Sequence, residues 1–156
     1  MRPARTPVGL RLTQVSRTVS RAFDDALAAA GGSLPAWLVL LNLKLRAVPS
    51  QRELAAAMGV RDATLTHHLN SMESAGLLTR RRDPANRRIH VVELTQTGET
   101  AFLRLRDAAQ AFDRQLRRGF TDREAAELDS MLIRLAANVA AAGSAPPWAG
   151  LAEEKP

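Results

Sequence analysis

Cysteine and tyrosine are absent from the 156 residues, and lysine occurs twice against 20 arginines. Without cysteine there is no disulfide, no zinc–thiolate centre and no thiol with which to sense oxidants. Without tyrosine, no phenolic hydroxyl can hold a ligand. Aromatics make up 4% of a chain that is 46% hydrophobic, so the core must be built from leucine, valine and alanine. No apolar run approaches the roughly 20 residues that span a bilayer, so no membrane partner is expected. The opening MRPARTPVGLRL is basic but has no apolar signal core, which points to the cytoplasm. Enzyme signatures are also missing. There is no pair of pocket carboxylates, no serine–histidine pattern and no phosphate-cradling glycine loop. A chain without catalytic activity, cofactor or metal is expected. His67 and His68 are adjacent, about 100° apart on a helix, and cannot chelate as an i, i+4 pair would.

What is present is positive charge concentrated in arginine. The formal net charge is +6, and guanidinium favours planar, bidentate contact with phosphate and guanine. The length fits one domain. Its organising stretch is 51–94, QRELAAAMGVRDATLTHHLNSMESAGLLTRRRDPANRRIHVVEL. Ser50 and Glu53 frame a capping box, in which each side chain reaches the other's backbone amide. Leu54, Ala55 and Met58 form one apolar stripe, and Gly59 ends that helix. Asp62 is placed to cap the next, with Leu65, Leu69 and Met72 inward and Gly76 as its stop. Two short helices with so brief a link have the grammar of a helix-turn-helix. The second helix turns Arg61, Ala63, Thr64, Thr66, His67 and Asn70 outward. Small residues there permit close approach, and polar ones can meet base edges or phosphates.

Strand-like segments follow on either side of Asp-Pro-Ala-Asn, a turn composition. Arg80, Arg81, Arg82, Arg87 and Arg88 surround that turn with a single carboxylate, Asp83. Because Arg80, Arg81 and Arg82 alternate along a strand, at most two share a face, and one is expected in an internal ion pair. His68 is expected half-buried, and His90 to pack. Ser50 and Gln51, at a helix N-terminus, can donate to a phosphate.

These residues resemble the DNA-binding core of the MarR (multiple antibiotic resistance regulator) family. The resemblance rests on Leu54-Ala55, Thr64 and Thr66, Gly76-Leu77, the wing from Asp83 to Arg88, and Leu94-Thr95 with Gly98. With flanking helices that match in number and order, it covers roughly 10–142. Asn86 departs from the family's usual aspartate in the wing. The resemblance implies a mainly α-helical winged helix-turn-helix with a β-hairpin wing, and duplex-DNA binding by Ser50, Gln51, Arg61, Ala63, Thr64, Thr66, His67, Asn70, Arg80, Arg82, Asn86, Arg87 and Arg88. Arg88 is the expected minor-groove contact. It further implies a repressor acting on a palindromic operator, relieved by a small-molecule effector held between the outer helices and the DNA-binding lobe. Phe23, Trp37 and Phe112 are the aromatic candidates for that pocket, although their helical spacing equally suits a core.

The expected domain plan is a loose arm at 1–9, one domain at 10–142 and a proline-containing tail at 143–156. Within the domain, 34–94 forms the winged lobe, and 10–32 and 95–142 form dimerisation helices. Leu12, Val15, Val19, Phe23 and Leu27 recur at helical spacing. So do Phe102, Leu105, Ala109, Phe112, Leu116 and Phe120, and then Leu128, Met131, Leu132, Leu135 and Val139. A winged unit of this size cannot bury three such stripes, which argues for a homodimer. A protein-interaction or assembly module that makes no sequence-specific DNA contact is the alternative; competition between specific and random duplex separates the two.

Overall fold

The computed structural model describes residues 6–45, 50–86 and 90–140. Its elements run α1 (Val8–Ala29), α2 (Leu34–Leu45), α3 (Gln51–Met58), α4 (Asp62–Ser74), β1 (Leu78–Arg82), β2 (His90–Leu94), α5 (Gln96–Leu116) and α6 (Asp122–Val139). This is the mainly α, winged architecture expected. The N-terminal helix starts earlier than expected, with Pro7 as its N-cap. Proline ahead of a first turn is tolerated because the missing N–H would have had no helical partner. Arg87 and Arg88, and the tail from 143, lie outside the described residues.

α2 is the hub. Its sequence LPAWLVLLNLKL is apolar all round, and it packs on α1, α3, α4, α5 and β2. Val39 and Leu40 have no exposed surface. The buried Asn42 donates from Nδ2 to the Leu38 carbonyl at 2.8 Å, so its amide is not left unpartnered there. Around α2 close Leu27 of α1, Leu54 of α3, Leu65 and Leu69 of α4, Leu78 and Val92 of the wing and Leu105 of α5.

Local chemistry sets the boundaries. Ser50 and Glu53 form the capping box at the start of α3, and Gly59 ends that helix at φ 64°. Arg61, rather than Asp62, occupies the N-cap of α4 and makes no side-chain cap bond. Asp62 instead lies one position inside, where its charge favours the positive end of the helix. After α4, Gly76 at φ 69° reverses the chain and the Leu77 amide donates back to the Met72 carbonyl. The two strands pair antiparallel from Leu78 opposite Leu94 to Arg82 opposite His90, and Ser50 bridges to Val91 on the far side of β2.

Thr95 ties the wing to α5. Its hydroxyl donates to the Gly76 carbonyl at 2.6 Å and accepts from the Gly98 amide at 3.0 Å. Gly98 sits against the Leu77 carbonyl so closely that any Cβ would collide with it. The Leu-Thr-x-x-Gly spacing therefore lets α5 start hard against the base of the wing. α5 ends at Leu116, so Phe120 falls beyond it, in the corner closed by Gly119 at φ 85°. The second capping box, Thr121 with Glu124, opens α6, no residue of which is buried. Among the described residues no single helix is long and apolar enough to cross a membrane. α1 and α2 together pass that test by composition, but they meet at 77° and α2 is the buried hub.

Candidate nucleic-acid interface

One exposed face gathers five of the thirteen expected DNA-binding residues. Arg61, Ala63, Thr64, His67 and Asn70 are exposed along α4, while Leu65, Leu69 and Met72 on its other side are buried. Residues 63, 67 and 70 follow three- and four-residue steps, and so form one row. His68 is half-buried, as expected, with its ring 5.9 Å from that of His67. Among the described residues no three histidine, aspartate or glutamate side chains gather as a metal site.

Thr66 is half-buried rather than exposed. Its hydroxyl donates to the Asp62 carbonyl at 2.8 Å and accepts from Gln51 Nε2 at 2.7 Å. Gln51 and Thr66 thus stitch α3 to α4, a role invisible to spacing because the partners are 15 residues apart. Ser50 is also committed: its hydroxyl donates to Glu53 and accepts from the Glu53 amide.

The three wing arginines divide. Arg80 binds Glu73 with both its backbone amide and its guanidinium, and reaches Asn70 as well. This is the internal ion pair expected of one of the three. The Arg80 guanidinium holds the Glu73 carboxyl below its ordinary value. Arg81, on the opposite face, pairs with Glu93 at 2.7 Å, which lowers the Glu93 pKa and raises that of Arg81. Arg82 is exposed and has no ion pair among the described residues. His90, opposite Arg82 in the register, is exposed and not the packing residue expected, because it stands at the end of the strand ladder beyond the buried Val91 and Val92. Asp83 accepts from the Ala85 amide at 2.7 Å, a side-chain turn that begins the wing tip, and Asn86 beyond it is exposed.

A second feature lies between α2 and α5. A cleft of about 780 Å³ is lined by Trp37, Leu41, Lys44, Phe102, Arg106 and Arg114, among others. Of the three aromatic candidates only Trp37 lines it. Phe23 and Phe112 stack on each other with ring centroids 5.0 Å apart, joining α1 to α5, whereas Trp37 stacks on Phe102 at 5.8 Å. Lys44 stands 5.6 Å over the Phe102 ring and pairs with Glu99 at 2.9 Å. Arg106 and Arg114 of the cleft were missed because they lie off the α5 apolar stripe, where arginine reads as solvated surface.

The model of the MarR family matches residues 33–90, which include α2, α3, α4 and the first strand. Over these residues the chain is similar to the MarR family. The curated HTH-type transcriptional regulator YdgJ of Bacillus subtilis (strain 168), itself uncharacterised, is 29% identical over 90 residues. That match takes in 58% of this chain and 55% of YdgJ, so the chain spans about half the length of this curated relative. Among solved structures, the MarR-like fold extends over most of the chain. The repressor CouR bound to a 23-mer DNA duplex superposes with TM-score 0.77 at 26% identity, covering 83% of this chain and 92% of that one. CouR from Rhodococcus jostii RHA1 bound to p-coumaroyl-CoA gives 0.74 at 23%, covering 87% and 96%.

Proposed function

We propose that the chain is a cytoplasmic transcriptional repressor that binds duplex DNA sequence-specifically as a homodimer on a palindromic operator. The observation that carries this reading is the exposed row Arg61, Ala63, Thr64, His67 and Asn70 on a helix whose opposite face is fully packed, with exposed Arg82 beside it on the wing. A rigidly backed helix with small and polar outward residues suits a major groove, and a basic wing suits the flanking backbone. Thr64, His67 and Asn70 would meet bases, while Arg82, Asn86, Arg87 and Arg88 would meet phosphates or the minor groove. Ser50, Gln51 and Thr66 would act mainly by holding α3 and α4 in place, since each side chain is already hydrogen-bonded within the lobe. CouR in complex with a DNA duplex supports the same reading by likeness.

The homodimer would bury the apolar residues that α6 and the first half of α1 leave exposed, and would place two recognition helices on symmetric half-sites. The α2–α5 cleft would hold an effector. Its Trp37–Phe102 floor and its Lys44, Arg106 and Arg114 rim suit an aromatic molecule with negative charge. Occupation there would change the spacing of the two lobes. No catalytic role is proposed.

Binding by the full chain to a duplex recovered by selection from random sequence, in competition with its scrambled counterpart, tests the proposal. Preference for the selected duplex by at least about a thousandfold is expected of a specific regulator. Equal binding to both would favour the assembly-module reading.

A further inference from the structure

Arg80 is positioned unlike the other wing arginines. Its side chain is only 19% exposed and folds back from β1 across α4. Its backbone amide donates to Glu73 Oε1 at 3.1 Å and its Nε to Glu73 Oε2 at 2.9 Å. One terminal nitrogen donates to that same carboxylate and also to Asn70 Oδ1 at 2.6 Å. A guanidinium has donors and no acceptor, so the Asn70 atom facing it must be the amide oxygen. An amide whose oxygen and nitrogen are hard to tell apart by shape is oriented here by chemistry.

The consequence lies on the other side of Asn70. Asn70 is exposed, in the same row as Ala63 and His67, and its NH2 makes no hydrogen bond among the described residues. An unconstrained asparagine reads adenine with both arms, accepting from N6 and donating to N7. With the oxygen engaged by Arg80, the donor arm remains. We propose that Arg80 is a positioning residue rather than a DNA contact: clamped by Glu73, it locks Asn70 so that the recognition helix presents a donor at that point. The acceptor is a phosphate oxygen or a base-edge acceptor such as guanine N7 or O6 or thymine O4. This inference rests on α4 being the DNA-facing helix.

The test is a double-mutant cycle in the full chain, read by fluorescence anisotropy on a duplex selected from random sequence and on its scrambled counterpart. Asn70→Ala is expected to weaken binding to the selected duplex about tenfold. Arg80→Ala should cause a similar loss, and little more when residue 70 is already alanine. Arg80→Lys should melt near the wild type yet bind as weakly as Arg80→Ala, because a point charge can pair with Glu73 but cannot span both partners. A merely structural role would not separate melting from affinity in this way. Loss confined to the selected duplex places the acceptor on a base, and equal loss on both places it on a phosphate; either supports the assignment. Wild-type affinity in Asn70→Ala, a variant of an exposed position, overturns it, as do fully additive losses in the cycle. If the wild-type chain binds no duplex at all, the reading of α4 itself falls, a result distinct from failed coupling.

Discussion

The winged lobe and the outer helices carry the same kind of apolar stripe and cover it to opposite degrees. Leu54, Leu65, Leu69 and Leu78 are completely buried, whereas Leu128, Met131, Leu132 and Ile133 of α6 retain between 39% and 53% of their surface. α1 shows the change within one helix: Leu27 is buried against α2 and α5, while Leu10, Leu12 and Val15 are exposed. Periodicity tells which face of a helix wants covering, but not which chain supplies the cover. The lobe is covered within the same chain, with Leu27 of α1 and Leu105 of α5 closing it. The outer helices offer a surface on which each leucine, if fully covered, would contribute roughly 1.5–3 kcal/mol, enough over several side chains to join two copies.

The most severe way to break that contrast is to put charge on the uncovered face. Leu132→Asp with Leu135→Asp should abolish dimerisation and DNA binding together. Sedimentation and anisotropy check this; a folded variant that still binds as tightly as the wild type would contradict it. A finer version compares one leucine from each region. Leu69→Ala should lower stability by about 2–5 kcal/mol as a core truncation, while Leu132→Ala should lower the melting temperature by an amount that grows with protein concentration toward a plateau, as expected when association is linked to folding. Calorimetry over a range of concentrations separates the two behaviours.

Within the lobe the same logic divides helix from wing. Thr64→Ala or His67→Ala should cost roughly 1–3 kcal/mol on a selected duplex and little on a scrambled one. Arg88→Ala should weaken both and reduce the salt dependence by about one unit of slope for each phosphate that the arginine neutralises. Anisotropy at several salt concentrations reads both; an unchanged slope in Arg88→Ala would remove the wing from the interface.

The smallest expected effect is on pH. Arg80 holds the Glu73 carboxyl below its ordinary value of 4.5, so its contribution is complete above that value and is lost as pH falls through the lower folded-state value. Thermal melting of Glu73→Gln should therefore fall less than the wild type between about pH 7 and pH 3. The site is partly exposed, which keeps the difference small. An identical fall in both proteins would remove Glu73 from the acid response.

Most of the architecture was legible because its signals are local. The capping box at Ser50, the left-handed glycines at 59 and 76 and the turn at Asp83 each act within a few residues, and each forms where the sequence places it. The recognition helix was legible for the same reason: its inward Leu65, Leu69 and Met72 fix by subtraction what faces out. The pairings that join distant residues were not. Nothing in spacing shows that Gln51 binds Thr66, that Trp37 stacks on Phe102 rather than with Phe23, or that Arg80 rather than Arg82 turns inward. Alternation told that the arginines divide between two faces, but the choice among them depends on where Glu73 stands at the end of α4. His90 was misjudged because a position in a strand says nothing of whether an element lies beneath it.

Stoichiometry tests the central claim most directly. Sedimentation equilibrium of the full chain, alone and with a labelled selected duplex, should give a species of twice 16.9 kDa that binds one duplex per two chains. A chain that remains monomeric while binding the selected duplex tightly, one copy to one site, would contradict it.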